Sequence, residues 1–282
     1  MYTYGELLDD INYLSRCGAE TGCIGASGYG RLIPYAALGA GEHAVVITAG
    51  IHAREHVSSL FVVKQIYKLS KTELPCRLYF VPMVNPDGNV LIAEGADAFG
   101  FDKAKLLALN GGNCDFSLWK ANAAGVDLNV NFDAKWGEGK HNVRQAGGEN
   151  YIGAAPFSEP ETQALARFTR SLSPVLTLSY HAKGREIYYD FHQRGKARER
   201  DAAVARHAAA CTDYALIEGT QGSAGGYKDW CVAALGIPAL TLELASDELS
   251  HPLPDDSITK DFARAFDLPV RLYAFMKTQN YV

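Results

Sequence analysis

Nowhere in the 282 residues does an apolar run reach 18, so the sequence predicts no membrane span. Basic side chains are not in excess. The 27 Lys and Arg against 32 Asp and Glu leave a net charge of −5 and an isoelectric point near 5.9, without the positive field that nucleic-acid binding needs. The N-terminus, MYTYGELLDDINYLSRC, lacks the basic segment and apolar stretch of a secretory signal, so the expected location is the cytoplasm. The cysteines at 17, 23, 76, 114, 211 and 231 show no CxxC spacing. That argues against a cysteine zinc cluster and favours reduced thiols, with a Cys17–Cys23 bridge as the open alternative. Internal repeats, low-complexity tracts and Pro/Ser-rich linkers are also missing. One domain over residues 1–282 is the economical reading.

What is present is an ordinary globular composition, 48% hydrophobic and 21% charged. A chain of this mass should expose roughly 12,000 Å² when folded against roughly 44,000 Å² when open, enough burial to need no disulfide or metal staple. Helical spacing of apolar residues runs over 4–14 and 57–69. Strands are expected over 31–38 and 43–50, separated by a Gly-rich turn, and over 76–84, ending at the turn signal Asn85-Pro86-Asp87-Gly88. Residues 95–155 are rich in Gly and Asn and lack periodicity, which marks a functional loop system. Ser158 reads as the N-cap of a helix to about 171, with Pro160 in its first turn. Strands over 175–180 and 238–244, helices over 196–211 and 227–235, and one long amphipathic helix over 256–277 complete the pattern. Near-continuous apolar strands alternating with helices predict an α/β/α sandwich, a mixed and largely parallel sheet covered on both faces. Chemistry in such sheets collects at strand ends.

The strand HAVVITAG runs straight into His52-Ala53-Arg54-Glu55-His56. An imidazole and a carboxylate three residues apart can face one point, and a catalytic zinc takes three nitrogen or oxygen ligands plus water. His181, at the end of the strand preceding it, is the candidate third ligand; the bland alternative is a satisfied structural histidine. Glu243 lies within an apolar strand, where a carboxylate is costly unless it is paired or functional. It reads either as half of a buried ion pair or as a general base beside an activated water.

Taken together, HAREH, NPDG, GVDLNVNF, SEPE, SYH, GGYKDW and TLEL resemble, in order and approximate spacing, the zinc metallocarboxypeptidases of the carboxypeptidase A-like family. The resemblance runs from about Tyr4 to the C-terminal helix. It implies one zinc held by His52, Glu55 and His181, with Glu243 as the catalytic glutamate. It also implies that Arg54 and Asn129 contact substrate, and that Lys120 replaces an arginine that polarises the scissile carbonyl. A solvated surface lysine is the alternative for Lys120. His56 reads as packing, Asp87 and Gly88 as a turn, and Asp229 and Trp230 as anchors of a short helix. Of Tyr188 and Tyr189, one should pack in the core.

Three departures bear on substrate. Val130 stands where the family pattern carries the arginine that clamps a C-terminal carboxylate. Gln221 stands in place of a mobile tyrosine, with Tyr227 nearby as a substrate contact. Lys228 aligns with the floor of the side-chain pocket, where it would favour an anionic group; a helix-surface lysine is the alternative. Arg144 and Arg185 are alternative anion anchors. With the segments WKAN and SYHAKG, these features resemble the bacterial γ-D-glutamyl-meso-diaminopimelate peptidases and murein peptide amidases. The expected activity is hydrolysis of the γ-D-Glu–meso-diaminopimelate bond of peptidoglycan peptides. The alternatives are a carboxypeptidase of unusual specificity, a related amide hydrolase, and a catalytically silent zinc fold that binds peptides.

Overall fold

The parallel heart of the molecule comes from the sequence's most apolar strands. The structure, a computed structural model, describes residues 1–282. β3 (Ala44–Thr48) and β5 (Leu176–Ala182) are buried throughout, β4 (Arg77–Val81) and β8 (Ala239–Leu244) for most of their length. Strands enclosed on both faces have no solvated side and need no polar alternation. They pair in parallel in the order β4-β3-β5-β8. Antiparallel strands finish both edges: β1 (Glu20–Ala26) and β2 (Leu32–Leu38) beyond β4, and β6 (Glu186–Tyr188) beyond β8, with β7 (Ala215–Ile217) parallel to β6. The eight-stranded sheet is therefore mixed, as expected. β2 and β3 do not pair across their Gly-rich turn, because β4 lies between them.

Helices cover both faces. α1 (Tyr4–Arg16) and α2 (His56–Leu69), with α6 (Gly195–Thr212), α8 (Thr259–Ala265) and α9 (Leu268–Thr278), close one core through Leu7, Phe61, Ala205, Ala265 and Leu272. α5 (Pro160–Leu172) and the short α7 (Tyr227–Trp230) close the other through Leu165, Tyr227 and Trp230. The folded surface is 11598 Å², close to the value expected from mass. The six cysteines form no disulfide.

Local signals were misread at three places. Asn85-Pro86-Asp87-Gly88 is the start of α3 (Pro86–Glu94) and not a free turn: the Asn85 side chain accepts from Gly88 N at 2.9 Å, and Pro86 has no N–H to leave unpaired. Gly88 is required there, since a Cβ would sit 2.6 Å from Ala53 and 2.7 Å from the Ala121 carbonyl. The N-cap of α5 is Glu159, one residue after Ser158. The C-terminal segment is not one helix. It divides into a 3₁₀ turn (Asp255–Ile258), α8 and α9, because Pro269 cannot donate a helical hydrogen bond and disfavours helical geometry just before it.

The irregular stretch between α3 and α5 contains α4 (Lys103–Leu109) and two 3₁₀ turns, Ala96–Asp102 and Leu128–Val130. Buried amides tie it down: Asn122 Nδ2 donates to Glu159 and Asn131 Nδ2 to the Ile152 carbonyl. A second loop is pinned to it at Gly225, whose N donates to Ala134 O and whose carbonyl accepts from Phe132 N. With φ at +83° and a Cβ position 2.8 Å from the Val130 carbonyl, only glycine fits.

Candidate metal centre and adjoining cavities

The C-terminal ends of β3, β5 and β8 lie side by side, and each delivers one part of the site. After β3 the chain turns through Gly50, whose N donates to Ser58 Oγ, and carries His52 and Glu55 into the start of α2. His181 is the next-to-last residue of β5, directly opposite Glu243 in the parallel register. His52, Glu55 and His181 are all buried, and their donor atoms converge. His52 Nδ1 lies 2.8 Å from Glu55 Oε1, His181 Nδ1 lies 3.1 Å from Glu55 Oε2, and the two Nδ1 atoms are 3.2 Å apart. Tetrahedral zinc bonds of about 2.1 Å put ligand atoms roughly 3.4 Å from one another, so this set fits zinc with a fourth position open. Burial opposes ionisation of Glu55, yet the His52 and His181 imidazoles hold it well below the usual carboxylate range. Burial also disfavours a charged His52, but Glu55 and Asp127 outweigh it and raise that imidazole's pKa.

Asp127 was not singled out from the sequence, although it lies two residues before Asn129. It is completely buried, with Oδ1 3.3 Å from His52 Nε2 and Oδ2 3.5 Å from Lys120 Nζ. Backbone N–H groups of Asn129 and Asn150 donate to the same carboxylate. Desolvation works against its charge, but Lys120 and His52 push its pKa far down. A carboxylate behind a metal-ligating imidazole fixes ring orientation and keeps the outward nitrogen protonated. Lys120 stays charged despite its burial because Asp127 and Glu55 face it.

Glu243 makes no hydrogen bond or ion pair through its side chain. Desolvation pushes its pKa up to about 8, with Glu55 and Glu186 adding to the rise and His181 and Lys120 opposing it. Such a group holds its proton readily near neutrality. A cation bound at the three ligands would draw that value down.

Two cavities flank the centre. One of about 260 Å³ is lined by Asn129, Tyr188, Thr220, Gln221, Ser223, Lys228, Asp229, Thr241 and Glu243, almost all polar. The other, about 200 Å³, brings together His52, Lys120, Asp127, Asn129, Val130, His141 and Asn142. Asn129 borders both. Its Oδ1 accepts from Tyr227 N at 3.1 Å. Val130 contributes an apolar side chain to the smaller cavity.

Other expected contacts are placed differently. Tyr227 does not reach either cavity: its ring is buried against Phe132 and Trp230, and its hydroxyl is bonded to Thr169 at 2.8 Å. Lys228 is no free cation on the floor; Nζ lies 2.6 Å from Asp229 Oδ1 and donates to the Asp190 carbonyl at 3.0 Å. Arg54 projects from the His52–Glu55 turn, donates to the Leu118 carbonyl and lines neither cavity. Arg185 is committed to Asp261 at 3.0 Å, and Arg144 lies over Trp136, so neither anchors an anion at the site. His56 accepts from Tyr2 N and bonds the Leu253 carbonyl, a packing role. Asp87 pairs with Arg31 at 2.8 Å. Asp229 Oδ2 accepts from Gly226 N at the start of α7, Trp230 is core, and so is Tyr189, while Tyr188 faces the larger cavity.

No helix is long and apolar enough to cross a membrane. The zinc carboxypeptidase family profile matches residues 18–267. The γ-D-glutamyl-L-diamino acid endopeptidase 1 of Lysinibacillus sphaericus is 32% identical, over 90% of this chain and 67% of that protein. Murein peptide amidase A of Escherichia coli K12 is 32% identical over 60% of this chain and 64% of that protein. The chain thus spans about two thirds of the length of these relatives. Among solved structures, bovine thrombin-activatable fibrinolysis inhibitor in complex with tick carboxypeptidase inhibitor superposes with a TM-score of 0.79 at 25% identity, covering 99% of this chain and 98% of that one. With the profile matched across most of the sequence and three buried ligands meeting at one point, the chain belongs to the zinc carboxypeptidase family of zinc-dependent metallopeptidases.

Proposed function

We propose that this metallopeptidase cleaves the γ-D-Glu–meso-diaminopimelate bond of peptidoglycan peptides. The observation that carries the reading is the substitution at the carboxylate clamp: Val130 lines the wall beside His52, Lys120 and Asn129, and the adjoining larger cavity is polar almost throughout. A C-terminal carboxylate would find no guanidinium fork there. Two bacterial relatives carry peptidoglycan-type substrates in their names, which agrees with this reading.

His52, Glu55 and His181 would hold a zinc ion, which when bound would supply Lewis-acid chemistry and activate water at this point. Glu243, poised opposite His181, accepts a proton from the attacking water and returns it to the leaving amine. Lys120 faces the same space and offsets charge developing on the carbonyl oxygen. Asp127 holds both His52 and Lys120 in place. Asn129 offers its free amide to substrate.

The test is incubation of the zinc-loaded protein with L-Ala-γ-D-Glu-meso-diaminopimelate and, separately, with ordinary peptides, followed by mass spectrometry. Release of diaminopimelate is the expected outcome. Trimming of C-terminal residues from ordinary peptides, with the tripeptide left intact, overturns the reading in favour of a carboxypeptidase.

A further inference from the structure

Two loops whose side chains the proposed reaction does not use line the smaller cavity. One brings His141 and Asn142, the other Gln221, Gly222 and Ser223. The loops touch where Lys140 N donates to the Gly222 carbonyl at 2.8 Å. A Cβ on Gly222 would lie 3.1 Å from Lys140 Cβ, so the two backbones run close together there. Asn142 follows that junction and Gln221 precedes it, and both reach the same cavity.

Each of these two side-chain amides has an end that the protein leaves unused. Asn142 Nδ2 is buried and has no hydrogen-bond partner, a costly state for a donor. Gln221 Nε2 donates to the Glu218 carbonyl at 2.6 Å. A carbonyl can only accept, so that bond fixes the orientation of the Gln221 amide and leaves Oε1 as its unpaired end. The charges of the cavity are matched internally: its one lysine, Lys120, lies 3.5 Å from its one acid, Asp127. No arginine lines it. A carboxylate entering this space would find no unmatched cation among the side chains. A peptide amide is uncharged and brings one acceptor and one donor.

We propose that Asn142 and Gln221 read a neutral amide on the leaving residue. The bond that is cut then lies within a peptide, or before an amidated end, in preference to before a free carboxylate. The amide carbonyl accepts from Asn142 Nδ2, and its N–H donates to Gln221 Oε1. Val130 lines the same cavity and adds no charge. One point rests on the proposed reaction: that diaminopimelate leaves with the carboxyl group of its L-centre beside Val130. A carboxylate has no hydrogen for Gln221 Oε1 and sets its charge against that oxygen. The preference is thus one of exclusion as much as of attraction.

The zinc-loaded protein is given L-Ala-γ-D-Glu-meso-diaminopimelate with that carboxyl group free, amidated or extended by D-Ala. A kcat/KM at least ~10-fold higher for the amide and the extended peptide is expected, the scale of one hydrogen bond made in one case and lost in the other. Gln221→Met should lower the values for these two without lowering that for the free acid, which erases the preference. Asn142→Asp replaces the donor with an anion at nearly constant shape and should lower all three, the free acid most. Equal values for acid and amide in the unaltered protein, or equal losses in either variant, overturn the inference. The variants lie on different loops, so either one decides the matter if the other fails to fold. Ordinary peptides ending in an acid or an amide repeat the comparison and separate the two levels. An amide preference there, with γ-D-glutamyl peptides uncut, sinks the substrate reading and sustains the inference. Cleavage of γ-D-glutamyl peptides with the free acid preferred does the opposite. Calorimetric titration of the zinc-loaded Glu243→Gln variant with the same peptides reads the preference as affinity where no bond is cut, and there too equal affinities overturn it.

Discussion

Asp127 Oδ1 lies 3.3 Å from His52 Nε2, on the side of the ring away from the Nδ1 that meets Glu55 and His181. The contact bears on which nitrogen is free to bind a metal: Glu55, beside Nδ1, is itself in the ligand set, whereas Asp127 lies outside it and favours the proton on Nε2. Asp127→Asn keeps the shape but removes the charge that faces both His52 and Lys120. Zinc affinity is expected to fall about 10- to 100-fold, read by competition against a chromogenic chelator. Unchanged affinity would show that His52 is oriented without Asp127.

Lys120 is held by the same carboxylate, 3.5 Å away, and borders the cavity beside His52. If its role is to offset charge on the scissile oxygen, Lys120→Met should lower kcat about 10²- to 10³-fold with a smaller effect on KM. Lys120→Arg, which retains the charge, should recover part of the loss. A change confined to KM would make Lys120 a substrate-binding group and end the proposed role.

Glu243→Gln preserves volume and polarity on a strand where the side chain makes no hydrogen bond. The expected result is full retention of zinc, measured by metal analysis, with kcat reduced about 10²- to 10⁴-fold, the usual contribution of a general base. Retained turnover would remove Glu243 from proton transfer. Loss of zinc together with turnover would instead show that it shapes the ligand set.

The ligand set was readable because its members sit at the ends of strands that announce themselves by continuous hydrophobicity: His52 and Glu55 just after β3 and His181 on β5. What failed to read were directions and partners. Tyr227 follows two glycines next to the cavity, yet only the packing of α7 turns its ring toward Thr169 and the core. Lys228 announced a cation, but the helical turn that brings Asp229 Oδ1 to 2.6 Å also neutralises it. The effect of Glu186 on Glu243 went unnoticed because it depends on the pairing of a three-residue strand with β8, a long-range relation with almost no local pattern. Asp127 lies in a stretch without periodicity, where burial cannot be read from spacing. Pro269 gave a local stop signal for the C-terminal helix, overridden in reading by the amphipathic pattern on either side.

Glu161 shows how burial away from the centre should register in stability. It sits in the first turn of α5, fully buried, with Oε1 accepting from Gly28 N at 3.2 Å and Oε2 without a partner. Desolvation, with the Asp87 and Glu159 carboxylates nearby, pushes its pKa up to about 7 from the ordinary 4.5. For an acid whose pKa is raised on folding, the folded state binds more protons across that interval, so stability is greatest below about 4.5 and is lost as the pH rises through 7. Between pH 5 and 8 the loss from this one group is about 2 to 3 kcal/mol. Glu161→Gln removes the titration while keeping an acceptor for Gly28. Denaturant unfolding of both proteins at the two pH values should therefore show the variant gaining on the wild type by about that amount at pH 8 relative to pH 5. Groups remote from Glu161, the metal ligands included, are common to both proteins and cancel in the difference. A difference that does not change with pH would mean that Glu161 is already ionised in the folded chain at pH 5, with water or a cation compensating Oε2.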